Sequence, residues 1–230
     1  MRNLSNSFFC LLLIAIVFSC KKDPDTIDGG VKIGDQVWMK KNLDVAFYSN
    51  GDAIPQATTE AEWKYYNENQ IGAWSYLKFD ESYNERYGKL YNWYVIGDKR
   101  GVAPKGWRVP TSNDFNVLIN YAGGESVAGE NLKSDHGWDC NSSLFVGCKQ
   151  GKDKYGFEGL PAGEMQGGSF YNAHIRTNFW TSTDGTGTFC DQYCSEDEYA
   201  DQMTLDYERD DAVVSADHKN EGLSIRCIEK

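Results

Sequence analysis

The chain has 230 residues, a formal net charge of −11 and an aromatic content of 14%. This length fits one large domain. An acidic surface of this kind argues against binding to nucleic acid or to anionic lipid headgroups. The sequence contains 7 tryptophans, 14 tyrosines and 11 phenylalanines, which favour a loop-rich fold whose small core is filled by large rings.

The first 19 residues have the pattern of an export signal. Arg2 precedes an apolar run from Phe8 to Phe18, which is shorter than the roughly 20 residues that a stable membrane-spanning helix needs. Ser19 and Cys20 follow the run as in a bacterial lipobox, in which the cysteine receives lipid after cleavage. An ordinary signal peptide cut nearby is the alternative.

These features predict the organisation of the chain. Residues 1–19 would form a lipoprotein signal peptide, residues 20–30 the lipidated cysteine with a polar linker, and residues 31–230 one folded domain. Arg2 is the one charged residue of the signal, so the mature chain would carry a net charge of −12. The membrane would then be a partner through the lipid anchor.

A hairpin and a helix are the first elements predicted in the domain. Apolar and polar residues alternate between Val31 and Met39 around a Gly-Asp turn, which is typical of a β-hairpin. Thr59 and Glu62 have the spacing of a capping box. They predict a helix over about residues 59–69.

The segment from residue 71 to residue 87 is rich in aromatic rings without a clear period. We identify Trp74, Tyr76 and Tyr83 as candidates for a binding surface. Rings in such segments more often close a core, and the core is the favoured interpretation.

The middle of the chain contains the clearest helix. Leu90 to Ile96 is apolar and aromatic, and its length leaves a helix and a buried strand as alternatives. Thr111 and Asp114 then supply a helix cap and an acidic first turn, which predict a helix over residues 111–122. Its apolar face has helical spacing and consists of Phe115, Leu118, Ile119 and Ala122.

Two tryptophans flank this region. We interpret Trp93 and Trp107 as part of the folding nucleus, with Trp107 wedged where the turn enters the helix. A sugar-binding platform is the alternative role for the same rings.

The remaining elements are short. Residues 125–133 predict a further helix, and Phe179 to Thr183 predicts a strand. Alternation over residues 203–216 predicts a hairpin, and alternation over residues 223–227 predicts a final strand. The fold class is therefore α+β, with two main helices among short antiparallel strands and long loops.

Five cysteines remain in the mature chain after Cys20: Cys140, Cys148, Cys190, Cys194 and Cys227. Export would place them in an oxidising compartment, where disulfides form. An odd number leaves at least one without a partner in the chain. We predict the local pairs Cys140–Cys148 and Cys190–Cys194, although spacing alone does not fix the connectivity.

Candidate metal ligands are scattered. His136, His174 and His218 lie far apart and lack the spacing of a metal site. Acidic loops at residues 191–201 and 206–211 give Ca²⁺ binding as a minority hypothesis, since their spacing is not that of an EF-hand. We predict no resident cofactor.

Several sequence blocks occur in a recognisable order between residues 31 and 229. They are Ile33-Gly34-Asp35-Gln36-Val37-Trp38-Met39 with Asn42-Leu43, Tyr87-Gly88-Lys89-Leu90-Tyr91-Asn92-Trp93-Tyr94, Pro104-Lys105-Gly106-Trp107-Arg108-Val109-Pro110-Thr111, Gly156-Phe157 with Leu160-Pro161-Ala162-Gly163, Phe179-Trp180-Thr181-Ser182-Thr183 and Ser224-Ile225-Arg226-Cys227. Together they resemble the Fibrobacter succinogenes major paralogous domain (FISUMP).

The resemblance carries expectations about fold and location. It implies a C-type-lectin-like fold, related to that of sulfatase-modifying factors, and a lipid-anchored protein of the Bacteroidetes outer membrane. Lys21-Lys22-Asp23 partly resembles the signal that sends such lipoproteins to the cell exterior. Family members often pair a cysteine before the Pro-x-Gly-Trp block with that of the last strand. Ala103 stands there, so Cys227 is expected to be free and buried.

Two functions from different classes follow. The first is a non-enzymatic surface module that binds a glycan or a protein. The alternative is a copper-dependent cysteine oxidase, because two nearby cysteines bind copper in the sulfatase-modifying relatives and Cys190 and Cys194 stand in a similar place. Asp191 and Glu196 beside them would raise the thiol pKa values and oppose thiolate formation. A disulfide is therefore the favoured role of this pair.

Overall fold

The computed structural model describes residues 29–140, 148–185 and 198–230. Within these ranges the chain forms five α-helices and eleven strands, and the strands form small antiparallel sheets. This arrangement confirms a mixed helix and sheet architecture. Residues 1–28, which include Cys20, lie outside the described ranges, as do Cys190 and Cys194.

The elements are short and follow one another closely along the chain. The strands are β1 Gly30–Ile33, β2 Gln36–Met39, β3 Trp74–Ser75, β4 Leu90–Tyr91, β5 Trp107–Arg108, β6 Glu164–Gln166, β7 Ser169–Tyr171, β8 Arg176–Asp184, β9 Tyr199–Asp206, β10 Ala212–His218 and β11 Ile228–Glu229. The helices are α1 Glu60–Glu68, α2 Asn84–Tyr87, α3 Tyr94–Gly97, α4 Ser112–Tyr121 and α5 Glu125–Leu132.

A four-stranded sheet joins the two ends of the domain in the order β1-β2-β11-β5. The predicted hairpin is confirmed, since Ile33 pairs with Gln36 and Gly30 with Met39. Its turn requires glycine at position 34, where φ is +62° and a side chain would meet the ring of Tyr121 at 2.8 Å.

The three longest strands form a second sheet in the order β10-β9-β8. Val214 pairs with Met203, and Met203 pairs with Phe179, so the predicted strand and hairpin are both confirmed. Phe179 and Met203 are buried on one face of this sheet. Trp180 lies on the other face together with mainly polar side chains, because successive residues of a strand point to opposite sides.

Both predicted main helices form, and each begins where its cap predicts. Thr111 and Asp114 form a complete capping box at the start of α4. At α1 the Thr59 side chain accepts a hydrogen bond from the Glu62 N–H, but the Glu62 carboxylate binds Thr58 rather than Thr59. The box predicted for α1 is thus only half formed. The short helix predicted over residues 125–133 is α5.

The ambiguous segment from Leu90 to Ile96 contains both alternatives. Leu90 and Tyr91 form β4, which pairs with β3, and the chain then turns into α3. Tyr91 is fully buried, whereas Trp93 and Tyr94 are half-buried. The length of the segment could not distinguish a strand from a helix because it holds a short piece of each.

Buried side chains of the described residues form three clusters, and the smallest contains Trp63, Tyr87, Leu90 and Met165. The Trp38 cluster contains Trp38, Phe115, Phe157, Phe179, Met203, Leu205 and Ile228, and the Trp180 cluster contains Leu43, Tyr91, Trp180, Leu223, Ile225 and Cys227. Trp38 stacks on Phe115 with ring centroids 5.0 Å apart. Trp93 and Trp107 are partly buried and pack against the Trp180 cluster. Their role in the folding nucleus stays a prediction.

The segment predicted as a final strand instead runs through the middle of the domain as buried and mostly irregular backbone. From Leu223 to Ile228 every residue is buried. Leu223, Ile225 and Cys227 enter the Trp180 cluster, while Ile228 enters the Trp38 cluster. Side chains alternate as the sequence pattern indicates, but a core lies on each side. Only Ile228–Glu229 forms a regular strand.

We call residues 222–228 the closing segment. Its backbone bonds to five separate parts of the chain, through Met165, Tyr91, Asn178 with Trp180, Leu43 and Met39. Each contact supplies one or two hydrogen bonds, so no regular ladder forms. Hydrogen bonds of the closing segment therefore connect the C-terminal end of the domain to its N-terminal hairpin and to its middle.

Candidate functional site

The aromatic residues proposed as a binding surface belong to the body of the domain. Trp74 is only 5% exposed, while Tyr76 and Tyr83 are half-buried. The rings of Trp74 and Tyr76 meet edge to face at 5.0 Å, and the Lys89 ammonium covers both of them. As a candidate binding residue, Trp74 is corrected to a core residue, in line with the favoured interpretation.

The cysteines occupy structural positions. Cys140 and Cys148 form a disulfide, with Cα atoms 4.9 Å apart. Among the described cysteines Cys227 is free and buried, and burial raises the pKa of its thiol to about 12. A thiol in this state is unreactive at neutral pH. The pair Cys190–Cys194 and the copper hypothesis that depends on it lie outside the described residues.

The three histidines remain apart, and each contacts a neighbouring side chain. His136 Nδ1 lies 2.8 Å from a carboxylate oxygen of Asp135, and His174 Nδ1 lies 3.0 Å from the Tyr87 hydroxyl. His218 Nε2 lies 3.0 Å from the Tyr199 hydroxyl. Among the described residues, no group of three or more His, Cys, Asp or Glu side chains is placed to hold a metal ion.

A groove lies where α3 faces the loop after α1. Asn92, which is fully buried just before α3, holds its wall in place. Its side-chain N–H groups donate to Asn67 Oδ1 and the Ile71 carbonyl, both at 2.9 Å, and its oxygen accepts from the Ala73 N–H. A single amide thus fixes the loop over residues 67–73 against α3.

The ring of Trp93 has a fixed orientation in this groove. Its indole N–H donates to the Thr181 carbonyl at 2.9 Å. The Lys219 ammonium lies 4.4 Å from the ring centroid and 2.6 Å from a carboxylate oxygen of Asp184. Gly97 lies close beside the ring, since a side chain there would meet it at 3.0 Å. The indole ring is therefore held in one orientation.

Tyr94 separates two hollows of the same groove. One hollow encloses about 590 Å³ and the other about 490 Å³, and both are lined by Tyr94 and Gln70. Burial raises the pKa of the Tyr94 phenol, with a further contribution from the charge of Glu198. The hydroxyl is therefore neutral at physiological pH and can both donate and accept hydrogen bonds.

Polar groups surround the two rings. Arg100 binds the Asp98 carboxylate through two nitrogens, at 2.7 and 3.0 Å, and its guanidinium lies 3.9 Å from the centroid of the Tyr48 ring. We call the whole surface the aromatic groove. The residues that line it include Gln70, Trp93, Tyr94, Asp98, Arg100 and Lys219.

A second depression occupies the polar face of the three-stranded sheet and encloses about 340 Å³. We call it the sheet-face groove. It is lined by strand residues that alternate with the core residues, among them Arg176, Asn178, Gln202, Thr204, Asp206 and Ser215, together with Glu164 and Asp217 at one end. Arg176 Nε donates to Asp206 Oδ2 at 2.9 Å.

Sequence reasoning missed both grooves. The aromatic groove brings together Gln70, the segment from Tyr94 to Asp98, and Lys219. These three parts are far apart in the chain and lie close together only in the fold. The sheet-face groove had a local signal. Its polar strand residues alternate with Met203 and Leu205, and this alternation predicts a polar sheet face but not its curvature or depth.

Comparison with known proteins gives one match. The model of the family described as the Fibrobacter succinogenes major domain matches residues 31–229. No curated protein matches the chain, and no solved structure matches it. Within the residues that the structure describes, none of the helices combines the length and the apolar character needed to cross a bilayer.

Proposed function

Because the chain belongs to the Fibrobacter succinogenes major domain family, we propose that it is a surface module that binds a glycan, without catalysis, in the aromatic groove. The observation that carries this proposal is the pair of half-buried rings, Trp93 and Tyr94, in a groove bordered by amide, carboxylate and guanidinium groups. Sugar rings offer apolar C–H faces that pack on aromatic rings, and hydroxyls that bond to planar polar side chains.

The preorganisation of the groove supports this function. Trp93 and the loop over residues 67–73 are fixed by hydrogen bonds to buried groups, so binding would cost little side-chain ordering. The combined size of the hollows on either side of Tyr94 suits more than one sugar unit. A protein loop with a polar tip is the competing ligand for the same surface.

The cellular context is part of the proposal. The sequence supports an outer-membrane lipoprotein, anchored through Cys20 and facing the cell exterior, with a fold like that of C-type lectins. Mass spectrometry of the N-terminal peptide tests the lipid, and Cys20→Ser should release the protein from membranes. Protease treatment of intact cells tests the orientation, since a protein facing the periplasm would be protected.

A glycan array probed with the full chain tests the ligand class. We expect binding to a limited set of glycans, weakened at least tenfold by Tyr94→Ala and much less by Tyr94→Phe, which keeps the ring. Tyr65→Ala is the matched control, because Tyr65 is 57% exposed and lies on the outside of α1. It should bind as the wild type does.

Two results would overturn the glycan proposal. One is an array without bound glycan combined with capture of a protein from intact cells that Tyr94→Ala abolishes, which would assign the groove to a protein ligand. The other is glycan binding that Tyr94→Ala leaves unchanged, which would place the sugar elsewhere on the molecule.

A further inference from the structure

One end of the sheet-face groove contains a buried acceptor without a donor. Asn178 is only 2% exposed, and its side-chain N–H group donates to Glu164 Oε2. Its Oδ1 has no hydrogen-bond partner among the described residues. Exchanging the oxygen and nitrogen of this amide would place two acceptors face to face at Glu164, so the orientation is fixed by its surroundings.

A second unpartnered acceptor lies beside the first. Glu221 is 7% exposed, and its Oε2 has no hydrogen-bond partner within the described ranges. Its carboxyl is in hydrogen-bond contact with Asp217 and Gln166, and it also feels the negative charge of Glu164. Burial and these two charges raise the pKa of Glu221 to about 9, so the group holds a proton at neutral pH.

The neighbouring cations only partly offset this cluster. Burial raises the pKa of both Glu164 and Asp217, and the charge of Arg176, whose Nε is bound to Asp206, only partly opposes this rise. His218 acts on Asp217 in the same direction, and its Nε2 contacts the Tyr199 hydroxyl. Gln166 and Asn172 also donate to Glu164 Oε1, so both oxygens of that carboxylate have donors. The atoms without a partner are Asn178 Oδ1 and Glu221 Oε2, which are both acceptors beside two further carboxylates.

We propose that this end of the sheet-face groove binds a primary alkylammonium group, such as the side chain of a lysine, with Glu164, Asp217, Glu221 and Asn178 Oδ1 as its acceptors. An ammonium is a compact charge with three donors that can point in different directions. Glu164, Asn178 and Asp217 line the groove from β6, β8 and β10, and Glu221 contacts Asp217 from the turn after β10. The planar donor fork of a guanidinium suits a flat pair of acceptors instead.

Binding involves a proton. Without a ligand, Glu221 is protonated. When the ammonium binds, its positive charge stabilises the ionised carboxylate, and Glu221 loses its proton. The carboxylic O–H bond breaks, its electron pair remains on the carboxylate, and the proton leaves to solvent. No bond to the ligand forms other than hydrogen bonds.

Calorimetric titration of the full chain with Nα-acetyl-lysine amide tests the proposal at pH 7 and constant ionic strength. We expect saturable binding, with no binding of Nα-acetyl-norleucine amide, which has the same chain without the ammonium. The apparent binding enthalpy should change with the ionisation enthalpy of the buffer, because a fraction of a proton up to one is released. Affinity should rise between pH 6 and pH 9.

Glu221→Gln keeps the size of the side chain and removes the charge conflict, so we expect a folded variant that binds at least tenfold more weakly. Glu229→Gln makes the same change in net charge at an exposed position of the other sheet and should bind normally. Tyr94→Ala should also bind normally, which separates this site from the aromatic groove.

Equal binding of the lysine and norleucine compounds would overturn the proposal, as would an enthalpy independent of the buffer. Wild-type affinity in Glu221→Gln would also overturn it, because the cluster would then be occupied by a proton alone.

Discussion

Arg226 is 1% exposed, yet each of its nitrogens donates to a buried acceptor. Nε and Nη2 bind Asn42 Oδ1 at 3.0 and 2.6 Å, while Nη1 binds the carbonyls of Met39 and Phe157. Burial lowers the pKa of the guanidinium to about 10, so the charge persists at neutral pH. The Arg226 guanidinium donates to neutral amide and carbonyl oxygens, and it thereby connects the closing segment to two distant loops.

Arg226→Met should therefore reduce the free energy of unfolding by about 3 kcal/mol or more, because several buried acceptors lose their donor at once. Urea denaturation measures the loss. Arg86→Met is the control, since Arg86 is exposed and should change stability by less than about 1 kcal/mol. Equal effects of the two substitutions would contradict the structural role of Arg226.

Asp114 gives a second prediction at this scale. Arg108 binds both of its carboxylate oxygens, at 2.6 and 2.8 Å, and Thr111 donates twice more, so the pKa of Asp114 falls to about 2. A depressed pKa adds stability that is present above the unfolded value near 4 and is lost as the pH falls towards 2.

We expect a loss on the order of 2 kcal/mol between pH 5 and pH 2 from this group. Denaturant titrations across this range measure it, and Asp114→Asn should show a flatter acid limb. The Asp80→Asn variant is the comparison, because the pKa of Asp80 is also lowered but its carboxylate lies in an exposed turn. An acid limb unchanged in Asp114→Asn would refute the assignment.

At the scale of elements, local chemistry decided which predictions succeeded. The α4 cap depends on Thr111 and Asp114 alone, which are three residues apart, and it forms as predicted. The closing segment depends on partners up to 188 residues away, such as Met39 for Cys227. Its alternation indicated a half-exposed strand, because a single sequence cannot show that a second core covers the other face.

Helix α5 illustrates a contact that sequence patterns do not reveal. Gly129 lies in this helix, and a side chain there would meet the Asp211 carbonyl oxygen at 1.9 Å. The Glu130 N–H donates to the Asp210 carbonyl at 3.1 Å, so the turn between β9 and β10 sits directly on the helix. Close approach, rather than flexibility, explains glycine at this position.

Gly129→Ala should consequently lower stability by about 1–3 kcal/mol, the cost of overpacking. In an open helix the same substitution would add about 0.5–1 kcal/mol through the preference of alanine for helical backbone. Thermal and urea denaturation give the sign. Ser126→Ala, at an exposed position of α5, should stay within about 0.5 kcal/mol of the wild type. A stabilised Gly129→Ala would show that the turn moves away freely.

At the scale of the whole molecule, the closing segment covers both the Trp38 cluster and the Trp180 cluster. The tryptophans differ in how deeply they are buried. Trp38 is fully buried against Phe115 and Phe157, whereas Trp107 is half-buried on a strand of two residues. Composition correctly indicated a ring-filled core. It could not indicate which of seven tryptophans occupy it, because burial depends on the packing of distant elements.

Trp38→Ala should cost about 3–5 kcal/mol, in the range for fully buried aromatic rings. Trp107→Ala should cost about 1–2 kcal/mol, in proportion to its smaller buried area, and should leave a folded protein. Near-ultraviolet circular dichroism with urea titration distinguishes the two. Unfolding of Trp107→Ala to the extent of Trp38→Ala would support the nucleus role predicted for Trp107 and contradict this smaller cost.

Removal of residues 223–230 should abolish cooperative unfolding altogether. It uncovers both clusters and deprives several backbone groups of their partners, which no local repacking can replace. Differential scanning calorimetry would show no transition, whereas removal of the exposed Lys230 alone should preserve one. A sharp transition in the shorter chain would mean that the two cores close without the segment.

The position of the closing segment also sets the timing of folding. A ribosome delivers the chain from its N-terminus, so most of the domain is made before the residues that join its two cores exist. Until residue 228 emerges, β2 lacks its neighbour β11 and the Trp180 cluster lacks three of its members. The unfinished chain should therefore remain open, and an open chain would stay competent for the export that we propose for this protein.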